Sequence, residues 1–253
     1  MRSPDPGGFG ENRQELKPAA VLFDLDGTLI DSEPLWFEAE RLLVTEYGYA
    51  WGPTQAQHLV GWSLWDSATF LREVVGVDLP EQAIIDRMQA HVVAGVQQTP
   101  RWQPGALELL AEVRAAAIPA GLVTMSHRQL ADVIIEALPH GSFQIVVTGE
   151  QVRRGKPHPD PYLLAAERLG VEAADCVAIE DSVTGATSAR AAGCAVLVVP
   201  AALPVNSLTG VFFRESLRGM SLAGLGGLLD EHRALLGQSG SAAGSSTGVA
   251  ATG

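Results

Sequence analysis

The chain has 253 residues, 47% of them hydrophobic and 18% charged. That is enough apolar material for one large α/β domain, or a core with a smaller second domain, and too much for disorder throughout. The formal net charge of −12 argues against nucleic acid or an anionic membrane as the main partner.

Residues 1–17 are polar and rich in Gly and Pro, and read as a disordered tail. The start lacks the basic-then-apolar pattern of a secretory leader, and no apolar run reaches the ~18 residues of a membrane span. Cys176 and Cys194 sit in apolar runs and read as buried free thiols. A cytoplasmic protein that touches neither membrane nor nucleic acid is expected, with a monomer as the default.

Ala19–Phe23 is a short apolar run that reads as a buried strand, and Asp24-Leu25-Asp26-Gly27-Thr28 follows at once. In extended backbone the two aspartates share a face about 6.6 Å apart. Like charges ~4 Å apart at an effective dielectric near 20 repel by about 4 kcal/mol, so such a pair calls for a cation, a proton or a catalytic task. Residues 34–101 contain no convincing strand and read as amphipathic helices, among them Leu35–Glu46, Trp65–Val75 and Glu81–Val96. Asp31-Ser32-Glu33-Pro34 and Arg101–Gly105 bound this insert as natural hinges, and all five tryptophans lie in or beside it.

From there strands and helices alternate. Strands are predicted at Ala120–Val123, Gln144–Val147, Cys176–Ile179 and Ala195–Val199; helices at Gly105–Ala117, His127–Leu138, Pro159–Leu169 and Val183–Ala192. The pattern indicates an α/β fold, a doubly wound, parallel, Rossmann-like sheet with a small α-helical cap inserted after the first strand. The domain reading is a core of 18–33 and 102–235, a cap of 34–101, and a second disordered tail at 236–253.

Such folds bind ligands at the carboxyl ends of their strands. Asp24 and Asp26, Thr124 with Ser126 beyond it, Lys156 in Gly155-Lys156-Pro157, and Glu180-Asp181 all fall there. Taken singly, each has a plain reading: a turn, a satisfied strand-end hydroxyl, a helix cap. Arg153-Arg154 reads as a solvated surface pair, and His158 as a helix-start residue. Together, four acids need a cation, and all-oxygen ligation with open positions suits Mg²⁺. A carboxylate nucleophile, a metal, a lysine and a hydroxyl are parts for phosphoryl transfer. Lys156 is one of only two lysines, the other being Lys17, in a chain whose remaining basic residues are arginine. A compact ammonium fits between a carboxylate and a phosphate oxygen better than a guanidinium does.

Asp24-Leu-Asp-Gly-Thr-Leu, the hydrophobic run ending in Thr124, Gly155-Lys156-Pro157 and Ile179-Glu180-Asp181-Ser182 resemble the four ordered motifs of the haloacid dehalogenase superfamily, subfamily IA with a helical cap. The resemblance implies Asp24 as nucleophile and Asp26 as general acid and base. It implies a phosphoryl group bound by Thr124, Met125 and Lys156. It implies Mg²⁺ held by Asp24, the Asp26 main-chain carbonyl and Asp181, with Glu180 in or beside that shell. The function implied is a Mg²⁺-dependent phosphatase acting on a small phosphorylated molecule, a sugar phosphate or similar, through an aspartyl-phosphate. The alternative is a sugar-phosphate isomerase resembling β-phosphoglucomutase. Against it, Trp36 stands where such mutases carry a cap histidine, Leu64 stands where they carry an arginine, and the cap has no lysine.

Overall fold

The computed structural model describes residues 17–60, 62–199 and 208–243, with side chains as far as residue 237. Six strands form one all-parallel sheet: β1 (Ala20–Phe23), β2 (Ala120–Val123), β3 (Ile145–Val147), β4 (Cys176–Glu180), β5 (Ala195–Val198) and β6 (Phe212–Phe213). Their spatial order is β3-β2-β1-β4-β5-β6. The chain winds outward from β1 on one side, then returns to start again beside it, so β1 borders the topological switch point. Sheets with helices on both faces bury both sides of every strand, which is why β1, β2, β4 and β5 read as unbroken apolar runs.

The two faces have separate cores. Val21, Phe23, Leu122 and Ile179 pack with α5 (Ala106–Ala115), α6 (Arg128–Glu136) and α9 (Leu222–Ala243). Ala20, Leu22, Ala178 and Val196 face α7 (Asp160–Leu169) and α8 (Val183–Ala191). The alternation within β1 follows from the two-residue period of a strand.

Between β1 and α5 the described regular elements are helices: α1 (Glu33–Glu46), α2 (Pro53–Ala56), α3 (Leu64–Phe70) with a π turn at Leu71–Val75, and α4 (Glu81–Gln98). The π turn stops at Gly76, whose φ of 96° is a left-handed conformation suited to glycine. The segments leading into and out of the insert run side by side. Asp31 N donates to Arg101 O at 2.7 Å, Gln103 N donates to Leu29 O at 2.8 Å, and Arg101 pairs with Asp31 at 2.8 Å.

The sequence reading does not anticipate β6 or α9. β6 is only two residues long, too short for a period to register. α9 buries Leu222, Leu225, Leu228 and Leu229, then continues to Ala243. Residues 236–243, expected as disordered tail, are therefore helical, because extending an anchored helix is cheap once its first turn exists. The expected tails at 1–16 and 244–253 lie outside the described residues. Cys176 and Cys194 are buried free thiols. Among the described residues, no helix is long and apolar enough to cross a membrane.

Candidate active site

Strand register brings the polar groups together. Phe23 is level with Leu122 of β2 and with Ile179 of β4. The ladder persists one residue further: Asp24 N donates to Ile179 O at 3.0 Å and Thr124 N to Val147 O at 2.9 Å. Asp24, Thr124 and Glu180 therefore leave the sheet along the same edge, fixed by backbone bonds that all stem from the buried strands.

Lys156 reaches back into this edge from the loop after β3. Its side chain is 4% exposed. Its ammonium donates to Asp24 Oδ1 at 2.7 Å, to Glu180 Oε1 at 2.6 Å and to Val123 O at 3.0 Å, which uses all three of its donors. Burial favours the neutral amine, yet the Asp24 and Glu180 carboxylates outweigh it and hold the Lys156 pKa above the lysine range. The Tyr162 hydroxyl also donates to Glu180 Oε1, and Lys156 lies 5.4 Å from the centre of the Tyr162 ring. Burial, with Glu180 and Asp24 adding to it, keeps that phenol protonated by pushing its pKa up.

Asp24, Glu180 and Asp181 each offer a carboxylate oxygen within 4.8 Å of the others, and all three are buried. Burial raises the Asp24 pKa from 3.8 to about 7; Lys156 opposes the rise, while Glu180 and Asp26 add to it. Asp181 is raised too, by burial first and then by Asp24 and Glu180. Three carboxylates facing one ammonium leave two negative charges uncompensated when all ionise. One hard divalent cation would match that shortfall, and an all-oxygen donor set suits it.

Asp26 is placed differently. Its Oδ1 accepts from Ser32 Oγ at 2.5 Å and from Trp36 Nε1 at 3.0 Å; its Oδ2 accepts from Ser126 Oγ at 2.6 Å and, more weakly, from Thr124 Oγ1 at 3.4 Å. The carboxylate lies outside the cluster formed by the other three acids. Met125 also borders the site, and its sulfur accepts from Lys156 N at 3.4 Å.

Asp24, Asp26, Trp36, Thr124, Met125, Ser126, Lys156 and Asp181 line a cavity of about 290 Å³ between the sheet edge and the inserted helices. The four sequence motifs thus meet at one place. Glu180 lies behind it, 0% exposed, with its Oε1 taken by Lys156 and Tyr162. The motifs do not signal Ser32, Trp36, Tyr162, Glu33 or Glu40. Trp36 comes nearest to being legible: it stands where the resembling mutases carry a cap histidine, and its indole bonds Asp26. Of the other tryptophans, Trp62 lines the cavity, Trp51 is buried against Glu40, Trp65 is 55% exposed and Trp102 packs on the core. Ser182, not the acidic pair before it, caps α8, accepting from Gly185 N at 3.1 Å. Arg154 pairs with Asp160 at 2.8 Å on the surface.

A family model described as haloacid dehalogenase-like hydrolase matches residues 21–199. Hexitol phosphatase B of Escherichia coli K12 is 32% identical over 193 residues, covering 72% of this chain and 83% of that protein. A phosphorylated carbohydrates phosphatase of Thermotoga maritima is 31% identical over 175 residues, covering 69% and 81%. Among solved structures, a mutant of CbbY from Rhodobacter sphaeroides, in complex with xylulose-(1,5)bisphosphate, has a TM-score of 0.75 at 27% identity, covering 82% of this chain and 99% of that one.

Proposed function

The chain belongs to the haloacid dehalogenase-like hydrolase family and is a phosphoric monoester hydrolase; within that class we propose a Mg²⁺-dependent phosphatase of small organic phosphomonoesters, sugar phosphates or similar, working through an aspartyl-phosphate on Asp24. The observation that carries the reading is the Asp24–Lys156 pair at 2.7 Å, inside a cavity that Asp26 and Asp181 also line.

Asp24 attacks phosphorus in line, forming the Asp24 O–P bond as the ester P–O bond breaks. Asp26 gives its proton to the departing oxygen, then takes one from the water that opens the aspartyl-phosphate. Ser32, Trp36, Ser126 and Thr124 orient it for both transfers, one of the hydroxyls turning to accept while Asp26 carries the proton. Thr124 through its hydroxyl, Met125 through its main-chain N–H, and Lys156 by turning one of its three donors from the protein to the phosphate bind the phosphoryl oxygens. Lys156 is held for this work by Glu180, and Glu180 in turn by Tyr162.

Asp24 and Asp181, with the Asp26 main-chain carbonyl, would hold the metal; Glu180 sits beside that shell, because one of its oxygens is committed to Lys156. When bound, Mg²⁺ supplies positive charge against the phosphoryl oxygens. Residues 34–101 serve as the cap that shuts water out of the cavity, over a core of 18–33 and 102–235. Two free thiols fit a reducing cytoplasm.

The test is phosphate release from p-nitrophenyl phosphate and a sugar-phosphate panel. Asp24→Asn, and chelation of divalent metal in the parent enzyme, are each expected to lower kcat/KM by about a thousandfold. Retained activity in Asp24→Asn overturns the nucleophile assignment.

A further inference from the structure

The inserted helices give the cavity a far wall with chemistry of its own. Glu33, Trp36, Phe37 and Glu40 are spaced to share one face of α1, and all four line the cavity. A helix closing over a hydrophobic pocket would ordinarily show apolar groups on this face. Here two of the four are carboxylates. Glu40 is 6% exposed, and its Oε2 accepts from Trp51 Nε1 at 3.0 Å. Glu33 Oε1 is buried with no hydrogen-bond partner. Burial raises both pKa values, that of Glu33 with Asp31 and Asp26 adding to the rise and that of Glu40 to about 7 against the pull of Trp51.

No cation of the insert answers them. Its four arginines, Arg41, Arg72, Arg87 and Arg101, are tied to Glu38, Glu81, Glu46 and Asp31, at 2.7, 2.7, 3.0 and 2.8 Å. Among the described residues lining the cavity, the one cation is Lys156, already committed to Asp24 and Glu180. Buried acceptors left without donors are costly unless a ligand supplies them. A second phosphate on the substrate would meet two carboxylates at short range and no positive charge.

We propose that Glu33 and Glu40 are specificity-determining residues that accept hydrogen bonds from hydroxyls on the body of a singly phosphorylated polyol and, by their charge, reject bisphosphates. The assignment rests on the phosphatase reading and narrows it. The neutral polar groups Gln57 and Ser67 and the faces of Trp36 and Trp62 complete a lining suited to a hydroxylated, uncharged body.

The experiment measures kcat/KM of the full chain for sorbitol 6-phosphate, for hexyl phosphate (the same carbon count without the hydroxyls) and for fructose 1,6-bisphosphate. The polyol monophosphate is expected to lead both others by tenfold or more. In Glu40→Gln, where the amide oxygen still accepts from Trp51, and in Glu33→Gln, its lead over the bisphosphate is expected to shrink at least tenfold. Arg41→Gln, on the outer face of α1, is expected to leave that ratio alone. If Glu40→Gln does not fold, Glu33→Gln carries the measurement. A parent enzyme indifferent to hydroxyls, or favouring the bisphosphate, overturns the assignment and leaves the phosphatase reading standing. So does a ratio unmoved in the glutamine variants. Absence of hydrolysis of all three esters and of p-nitrophenyl phosphate overturns both.

Discussion

A glycine shows how tightly Lys156 is fixed. A Cβ on Gly185 would stand 1.9 Å from Glu180 Oε2 and 2.1 Å from Glu180 Cδ. Glu180 is 0% exposed and its other oxygen holds Lys156 and Tyr162, so the carboxylate has nowhere to retreat without taking the lysine along. In the first turn of α8, alanine would otherwise be favoured over glycine by up to ~1 kcal/mol. The overlap is expected to win. Gly185→Ala should lose activity by about tenfold or more, through displacement of Lys156 from Asp24, and should melt at lower temperature. Wild-type kcat/KM in that variant would show that Glu180 does not position the lysine.

At the level of elements, the short helices of the insert depend on their ends. α3 has only seven helical residues before its π turn, too few to be stable by propensity. Ser63 caps it: its hydroxyl oxygen accepts from Asp66 N at 3.0 Å while its proton goes to Asp66 Oδ2 at 2.6 Å. Ser63→Ala is expected to cost about 1 kcal/mol in urea denaturation, with the sheet unaffected. A change near zero would mean that packing against α4 alone holds α3. The insert's linkers carry an ion pair, Arg101 with Asp31, whose exposures of 58% and 33% make it a weak tie. The two backbone bonds beside it hold the two linker segments side by side.

For the whole molecule, the buried acids make stability depend on pH. Glu40 shifts from its ordinary 4.5 to about 7 through burial. A raised folded-state pKa means that the native chain binds the proton more tightly than the unfolded one. That contribution is complete below about 4.5 and is lost as pH rises through about 7. Glu40→Gln removes it. The stability of that variant relative to the parent is therefore expected to rise by about 3 kcal/mol between pH 4.5 and pH 8, read as several degrees in the difference of Tm. A Tm difference that does not change with pH would show that Glu40 is solvated in the native chain.

The amino-acid order alone determined the alternation of strands and helices, the helical insert and the four polar motifs, because each rests on local periodicity or on adjacent residues. It also determined that the motifs would share the carboxyl edge of the sheet, since parallel winding sends every strand end the same way. The tertiary structure decided what distance in sequence conceals. Tyr162 meets Glu180 across 18 positions, and Lys156 meets Asp24 across 132. Lys156 could be singled out by its rarity in the chain, whereas Tyr162 looks like any core aromatic. Glu33 and Glu40 resemble ordinary helix-surface acids until folding turns their face of α1 inward. The physical reason is that burial, and with it the charge balance of this site, is set by which surfaces the fold presses together.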